Sequence, residues 1–164
     1  MADKTEPENF DYQHEPGFMI RRMQQIATSI FIEKAKQYEV TPIQFVAMNA
    51  IDHHMGYDQR EIARMIAIDR TTMNSVTKRL EDKGWITRAR RGRRLDLALT
   101  SEGTVVLHDV ERCVADHQEE LLAPISAAER KTFLSLLRRL VEGNNQLSRV
   151  PVSRPKRKRD GIVK

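Results

Sequence analysis

Between Arg70 and Arg94 the chain gathers the side chains best suited to holding a polyanion. Arg70, Thr71, Thr72, Asn74, Ser75 and Lys78 carry hydroxyl, amide and cationic donors, and helical spacing sets them opposite Met73, Val76 and Leu80. An amide or hydroxyl can read the edge of a base pair, whereas a cation can also grip the phosphates on either side. Downstream, the run RARRGRR holds Arg88, Arg90, Arg91, Arg93 and Arg94 without one acid among them. Guanidinium groups so close repel one another, so an isolated fold gains nothing by gathering them. Phosphates, or the negative potential of a narrow minor groove, reverse that balance. A solvated loop also looks like a charge run, and only the neighbouring elements decide between the two readings.

Those neighbours are two short helices and a hairpin. Asp58 and Glu61 stand in capping-box spacing and start a helix whose apolar side is Ile62, Met65 and Ile66. Ala67-Ile68-Asp69 interrupts it, Asp69 caps a second helix, and Gly84 stops that one. Trp85-Ile86-Thr87 predicts one strand, and Leu95 to Leu99, with its leucines alternating against Asp96 and Ala98, predicts another. Helix, tight turn, helix and hairpin in this order make a winged helix-turn-helix over residues 57–100, with the arginines at the hairpin tip.

The flanking segments read as helices with more apolar surface than a compact winged unit can cover. The first runs from about Phe18 to Tyr38, with Met19, Met23, Ile26 and Ile30 in one apolar line and Ile20, Ala27 and Phe31 in a second. Thr41-Pro42-Ile43-Gln44 caps a second helix to about His54, and Gly56 ends it. Thr100 opens a long helix to about Leu122, with Val106, Val110, Val114, His117 and Leu121 along one side. Pro124 breaks it, and Ser126 to Glu129 caps a last helix through Val141 that carries Phe133, Leu136, Leu137 and Leu140. Residues 17–56 and 101–143 together form the expected dimerisation and effector layer. Residues 1–16 read as a flexible acidic N-terminal arm and 144–164 as a disordered basic tail.

From about Phe18 to Val141 the sequence resembles the MarR family of bacterial transcription regulators, most specifically in RTTMNSVTKRLEDKGWITR, the arginine-rich hairpin and LALTSEG. The resemblance implies a mainly α fold with a small β-hairpin wing, built as a winged helix-turn-helix plus a helical dimerisation layer. It implies a homodimer on double-stranded DNA, with Arg70 to Lys78 in two successive major grooves of an inverted-repeat operator. The wings, through Arg90, Arg91, Arg93 and Arg94, then fall in flanking minor grooves. Family members usually place an Asp two residues before the arginine matching Arg94; Gly92 stands there in this chain, which removes that arginine's usual acid partner. The implied role is repression relieved by a small aromatic acid, a benzoate-, salicylate- or hydroxynicotinate-like catabolite.

Such an acid is expected between the first two helices and the fifth, with its carboxylate on Arg22 and its ring against Met23, Ile26 and Met48. Ser29 or His54 is expected to donate to a ring substituent. Each of these polar residues also has a structural reading. Arg22, at the edge of the apolar face, can equally pair with Glu33 or with a carboxylate of a partner subunit, because either supplies the bidentate acceptor a guanidinium prefers. His54, placed on the buried face of its helix, can be a hydrogen-bonded core residue.

Several classes are excluded or held as alternatives. No phosphate-cradling glycine loop and no nucleophile with a base at usable spacing supports an enzyme. Asp52-His53-His54 offers neighbours that point apart on a helix, an incomplete metal set, so neither metal nor cofactor is expected. No apolar run approaches a membrane span and no N-terminal leader pattern is present, which together with a single cysteine fits the cytoplasm. The alternative function is a winged-helix DNA-binding protein without an effector, architectural or redox-gated through Cys113. The net charge of +5 belongs to the tail, since residues 149–164 hold seven Lys or Arg and one Asp.

Overall fold

The computed structural model describes residues 11–153. The acidic residues 1–10 and the basic residues 154–164 lie outside the described residues, and so do the parts of the two terminal expectations that fall on them. What remains of the first arm is docked: Asp11 caps a 3-10 turn over Tyr12–His14, and Tyr12 packs edge-on against Phe18 with ring centroids 5.3 Å apart.

Among the described residues, seven α-helices, one two-stranded hairpin and two further 3-10 turns follow. Helix α1 spans Pro16–Lys34 and α2 spans Pro42–His53. The join differs from the expected continuous helix to Tyr38. The α-helix gives way at Ala35 to a 3-10 turn, and Glu39 takes a left-handed φ of 49° to reverse the chain. Lys83 Nζ holds that reversal, donating to the carbonyls of Tyr38 and Glu39 at 3.3 and 2.9 Å while lying 4.4 Å from the Trp85 ring centroid. In α2 the Thr41 hydroxyl accepts from the Gln44 N–H and the Gln44 side chain accepts from the Thr41 N–H, so the capping box closes in both directions.

Helices α3 (Gln59–Met65) and α4 (Arg70–Asp82) and strands β1 (Ile86–Arg91) and β2 (Arg94–Leu99) form the winged unit. The strands pair antiparallel from Ile86 opposite Leu99 to Arg91 opposite Arg94, so most of the arginine run is ladder rather than loop. Gly92 turns the hairpin with a φ of 60°, a conformation that suits the first central position of a two-residue turn. Ile62, Met73, Leu80, Trp85 and Ile86 are buried under it, together with Met48 and Ile51 of α2. Full burial of each large side chain contributes about 1.5–3 kcal/mol.

Helix α5 covers Ser101–Cys113 and starts on a tight junction. Thr100 accepts from the Gly103 N–H at 2.9 Å and donates to the Gly84 carbonyl at 2.7 Å, tying the helix start to the base of the hairpin. A Cβ on Gly103 would sit 1.9 Å from the Trp85 carbonyl oxygen, so no larger residue fits. The expected single helix to Leu122 is not formed: α5 ends at Cys113, and a separate α6 covers His117–Leu121. The break lets α6 lie along α1, where His117 Nε2 is 3.0 Å from the Ala27 carbonyl and Lys34 pairs with Glu120 at 2.9 Å.

Helix α7 (Ala127–Gly143) has its own capping box at Ser126 and Glu129 but buries no residue, and leaves Leu136, Leu137, Leu140 and Val141 exposed. Met19, Ile20 and Ile26 of α1 are exposed as well. The expectation of disorder from residue 144 is corrected as far as Ser153. Asn145 accepts from the Val152 N–H at 2.8 Å and donates to its carbonyl at 3.1 Å, and the Ser153 N–H donates to the Arg64 carbonyl in α3 at 3.2 Å. None of the helices among the described residues is long and apolar enough to cross a membrane.

Candidate nucleic-acid interface

The reading face begins with the turn between α3 and α4. Ala67 accepts a φ of 54° to make it, and the Ile68 N–H returns to the Ala63 carbonyl at 3.0 Å. Asp69 then caps α4, taking the Thr72 N–H at 2.9 Å and the Thr72 hydroxyl at 2.7 Å. The Thr72 hydroxyl, followed by its backbone N–H, holds the Asp69 carboxyl below its ordinary range. Thr72 therefore serves the cap with the very proton that base reading would have used.

Behind α4 runs a polar seam with no local signature in the sequence. Gln59 is buried, donates from Nε2 to Asn74 Oδ1 at 2.5 Å, and has its Oε1 3.3 Å from the hydroxyl of the fully buried Thr77. Thr77 also donates to the Met73 carbonyl at 2.8 Å. The seam sets the rotation of α4 against α3 and ties down the Asn74 acceptor. Asn74 keeps both amide N–H groups and one lone pair of its oxygen for a ligand, now held in a fixed orientation by Gln59. Arg70, Thr71, Ser75 and Lys78 are exposed along the same face.

The wing corrects the expectation of unpaired arginines. Arg88 is bound to Glu81 at 3.0 Å, with its side chain 23% exposed. Arg94 faces its own domain: it donates to the Gly56 carbonyl at 3.2 Å and lies 3.4 Å from Glu61, 3.7 Å from Asp58 and 3.6 Å from Asp96. The brace expected to be lost at Gly92 is therefore made with different acids. Asp58 and Glu61 do double duty, because the pair that caps α3 also receives the wing. Asp58 also bridges to Asp96 through the backbone, which fastens the segment before α3 to β2. Arg91 lies 3.4 Å from Asp96 but keeps 80% of its side chain exposed, and Arg90 and Arg93 are exposed. Of the four wing arginines expected on DNA, Arg90, Arg91 and Arg93 are exposed, and Arg94, with 45% of its side chain exposed, also braces the wing.

Between this wing and the start of α4 lies an open cleft of 680 Å³, lined by seven arginines against Asp58 and Asp69. A surface of this kind is built for phosphate.

The expected effector residues do not converge. Arg22, Ile26 and Ser29 share one face of α1, where Arg22 donates to Gln25 Oε1 at 3.1 Å and Ser29 to the Gln25 carbonyl at 3.0 Å; both border an open hollow along that helix. Met23 is half-buried beside them and Ile26 is exposed. Met48 is sealed in the core at 1% exposure, so it lines nothing open. His54 is not on a buried face: α2 ends at His53, and His54 is its exposed cap residue, edge-on to Tyr57 at 5.7 Å. Cys113 is half-buried, with the Gln37 amide nitrogen 3.8 Å from its sulfur. No cluster of metal-ligating side chains occurs among the described residues.

Comparison with known proteins gives this geometry a context. Residues 40–92 match the family model described as MarR family. The chain is 26% identical over 154 residues to the HTH-type transcriptional repressor NicR of Pseudomonas putida, covering 88% of this chain and 98% of NicR. Among solved structures, the PcaV transcriptional regulator of Streptomyces coelicolor in complex with its natural ligand superposes with a TM-score of 0.76 at 31% identity, covering 82% of this chain and 97% of PcaV. The repressor CouR bound to a 23-mer DNA duplex superposes with a TM-score of 0.74 at 26% identity, covering 84% and 99%, and CouR is also known bound to p-coumaroyl-CoA.

Proposed function

The chain belongs to the MarR family and is a DNA-binding transcriptional repressor, not an enzyme; from that premise we propose that it works as a homodimer on an inverted-repeat operator and is released by a small aromatic acid. The observation that carries the DNA contacts is the pairing pattern of the arginines. Arg88 and Arg94 hold the wing in place, and Arg90, Arg91 and Arg93 at its outer edge meet phosphates or the minor groove. Thr71, Asn74 and Ser75 face base edges, while Arg70 and Lys78 grip phosphates.

The second subunit answers the exposed apolar faces of α1 and α7. Met19, Ile20 and Ile26 on one and Leu136, Leu137, Leu140 and Val141 on the other are more than solvent contact favours on a single chain. The effector reading rests on Arg22, Ile26 and Ser29 sharing one face of α1, with Met23 beside them. That face supplies a cation, an apolar surface and a hydroxyl, the groups an aromatic carboxylate needs. Met48 and His54 take no part. The ligands of PcaV and CouR support a small-molecule effector in general.

Release requires the acid to prefer the subunit spacing that cannot bind DNA; a hundredfold drop in affinity corresponds to about 2.7 kcal/mol of that preference. The test is titration of a bound, labelled duplex with benzoate, salicylate and 6-hydroxynicotinate, for the parent protein and for Arg22→Ala. The reading expects an acid that releases the parent and leaves Arg22→Ala on the DNA. Calorimetry showing that Arg22→Ala binds the same acid as tightly as the parent would place the site elsewhere.

A further inference from the structure

Resting on the homodimer and operator reading, we infer that residues 144–153 form a strap between the end of α7 and the reading head, with Asn145 and Ser153 as positioning residues that hold α4 at the spacing an inverted repeat requires. The first observation is the route of the chain. Helix α7 buries no residue, and the homodimer reading gives its apolar face to the partner. At its end the Asn144 side chain donates to the Leu140 carbonyl at 2.8 Å, and a 3-10 turn over Asn145–Leu147 follows. Asn145 then closes the loop on itself, accepting from the Val152 N–H at 2.8 Å and donating to the Val152 carbonyl at 3.1 Å. The next N–H, that of Ser153, donates to the Arg64 carbonyl at 3.2 Å.

The second observation is where the strap lands. Arg64 lies in the last turn of α3, whose final carbonyls have no partner within the helix. The Ile66 N–H donates to the Ile62 carbonyl and the Ile68 N–H to the Ala63 carbonyl across the turn that Ala67 makes at its φ of 54°, while the Arg64 carbonyl is met from outside by Ser153. Val150 lines the cleft beside that turn together with Ala63, Arg64, Ile68 and Met73. The strap therefore ends on the turn that sets the direction of α4.

Helix α5, tied to the base of the hairpin at Thr100, already joins the winged unit to the dimerisation layer. The strap adds a second connection, from the far end of α7, and two connections resist a rotation that one permits. A free coil of ten residues, spread over about 16–19 Å, supplies no such resistance. Reading heads that rotate spend only a fraction of their time at the operator spacing, and the apparent affinity falls by that fraction. Random DNA asks for no fixed spacing, so its affinity does not depend on the strap.

Two variants cut the strap at different points: Asn145→Ala removes the clamp, and Ser153→Pro removes the N–H that reaches Arg64. Both keep every charge and every buried side chain. The probes are a duplex selected by the protein from a random pool, the same duplex with one base pair inserted between its half-sites, and a 30-bp random-sequence duplex. Both variants should lose about fivefold or more on the selected duplex, the factor that one net hydrogen bond corresponds to. The lengthened duplex, which fixed heads fit poorly, should lose little, so the penalty for the insertion shrinks by the same factor. Affinity for the random duplex should stay at the parental value. Hydrogen exchange on the free proteins reads the strap without DNA, and the amides of Ile66 and Ile68 should exchange faster in both variants than in the parent. An unchanged insertion penalty, an equal loss on all three duplexes, or parental exchange at Ile66 and Ile68 would overturn the strap while leaving the operator reading intact. Failure of the parent to prefer any duplex over the random one would overturn the operator reading itself, and the positioning role with it.

Discussion

Two arginines of one run should behave in opposite ways, and the difference comes from their partners. Arg93 is exposed at the tip of the hairpin, next to the Gly92 turn, whereas Arg88 is bound to Glu81 at 3.0 Å at the wing's inner end. If Arg93 meets a phosphate, Arg93→Ala removes one counterion-releasing contact per wing, and a dimer loses two, so the slope of log K against log[salt] falls by about 1.8. Between 50 and 200 mM salt, the loss of affinity relative to the parent then shrinks by roughly 12-fold. A monomer bound through one wing gives half that slope change and only about a 3.5-fold contraction. Arg88→Gln should leave the slope at the parental value. Fluorescence anisotropy of a labelled duplex at five salt concentrations resolves these outcomes. Equal slopes for the parent and Arg93→Ala would show that the wing tip is solvated in the complex, and the argument from arginine pairing would be wrong.

The same geometry sets further outcomes. Asn74→Ala should cost about 1–3 kcal/mol on a selected site and little on random DNA, as measured by competition binding; an equal loss on both would make Asn74 a phosphate contact. Gly103→Ala forces α5 away from the Trp85 carbonyl and should destabilise the fold by about 1–3 kcal/mol, lowering the melting temperature by roughly 2–4 °C for each kcal/mol; an unchanged melt would mean that the junction yields without cost. The Asp69 carboxyl is held below its ordinary range by Thr72, so its cap stabilises the fold above the unfolded-state pKa and is lost as pH falls through the folded-state value. Melts of the parent and Asp69→Ala should accordingly converge in acid, and a gap independent of pH would refute the charged cap.

The features legible in the sequence were those that depend on neighbours a few residues apart. The caps at Thr41, Asp58, Asp69, Thr100 and Ser126 all accept the backbone N–H groups expected of them, because each bond closes within three residues. The exposed donors of α4 were legible for the same reason. The seam of Gln59, Asn74 and Thr77 was not, since it joins two helices across a turn. The pairing of Arg94 was not legible either, because its acids are Asp58, Glu61 and Asp96, two of them more than thirty positions away. Helical periodicity carried one residue too far at His54, the cap residue itself, where its direction no longer follows the helix. It also ran through the break after Cys113, because Val106 to Leu121 keeps its apolar spacing while α6 turns to meet Ala27 and Lys34 of α1. The order of residues 144–153 was hidden by composition, since a single asparagine makes the clamp.

The central claim is that two copies of this chain read one inverted repeat through α4. Selection of bound duplexes from a random-sequence pool, followed by sequencing, measures it directly. The account predicts enrichment of inverted repeats whose half-site centres lie about 10 bp apart, one turn of DNA for each pair of reading helices. Enrichment of a lone half-site, or of no sequence at all, would contradict it.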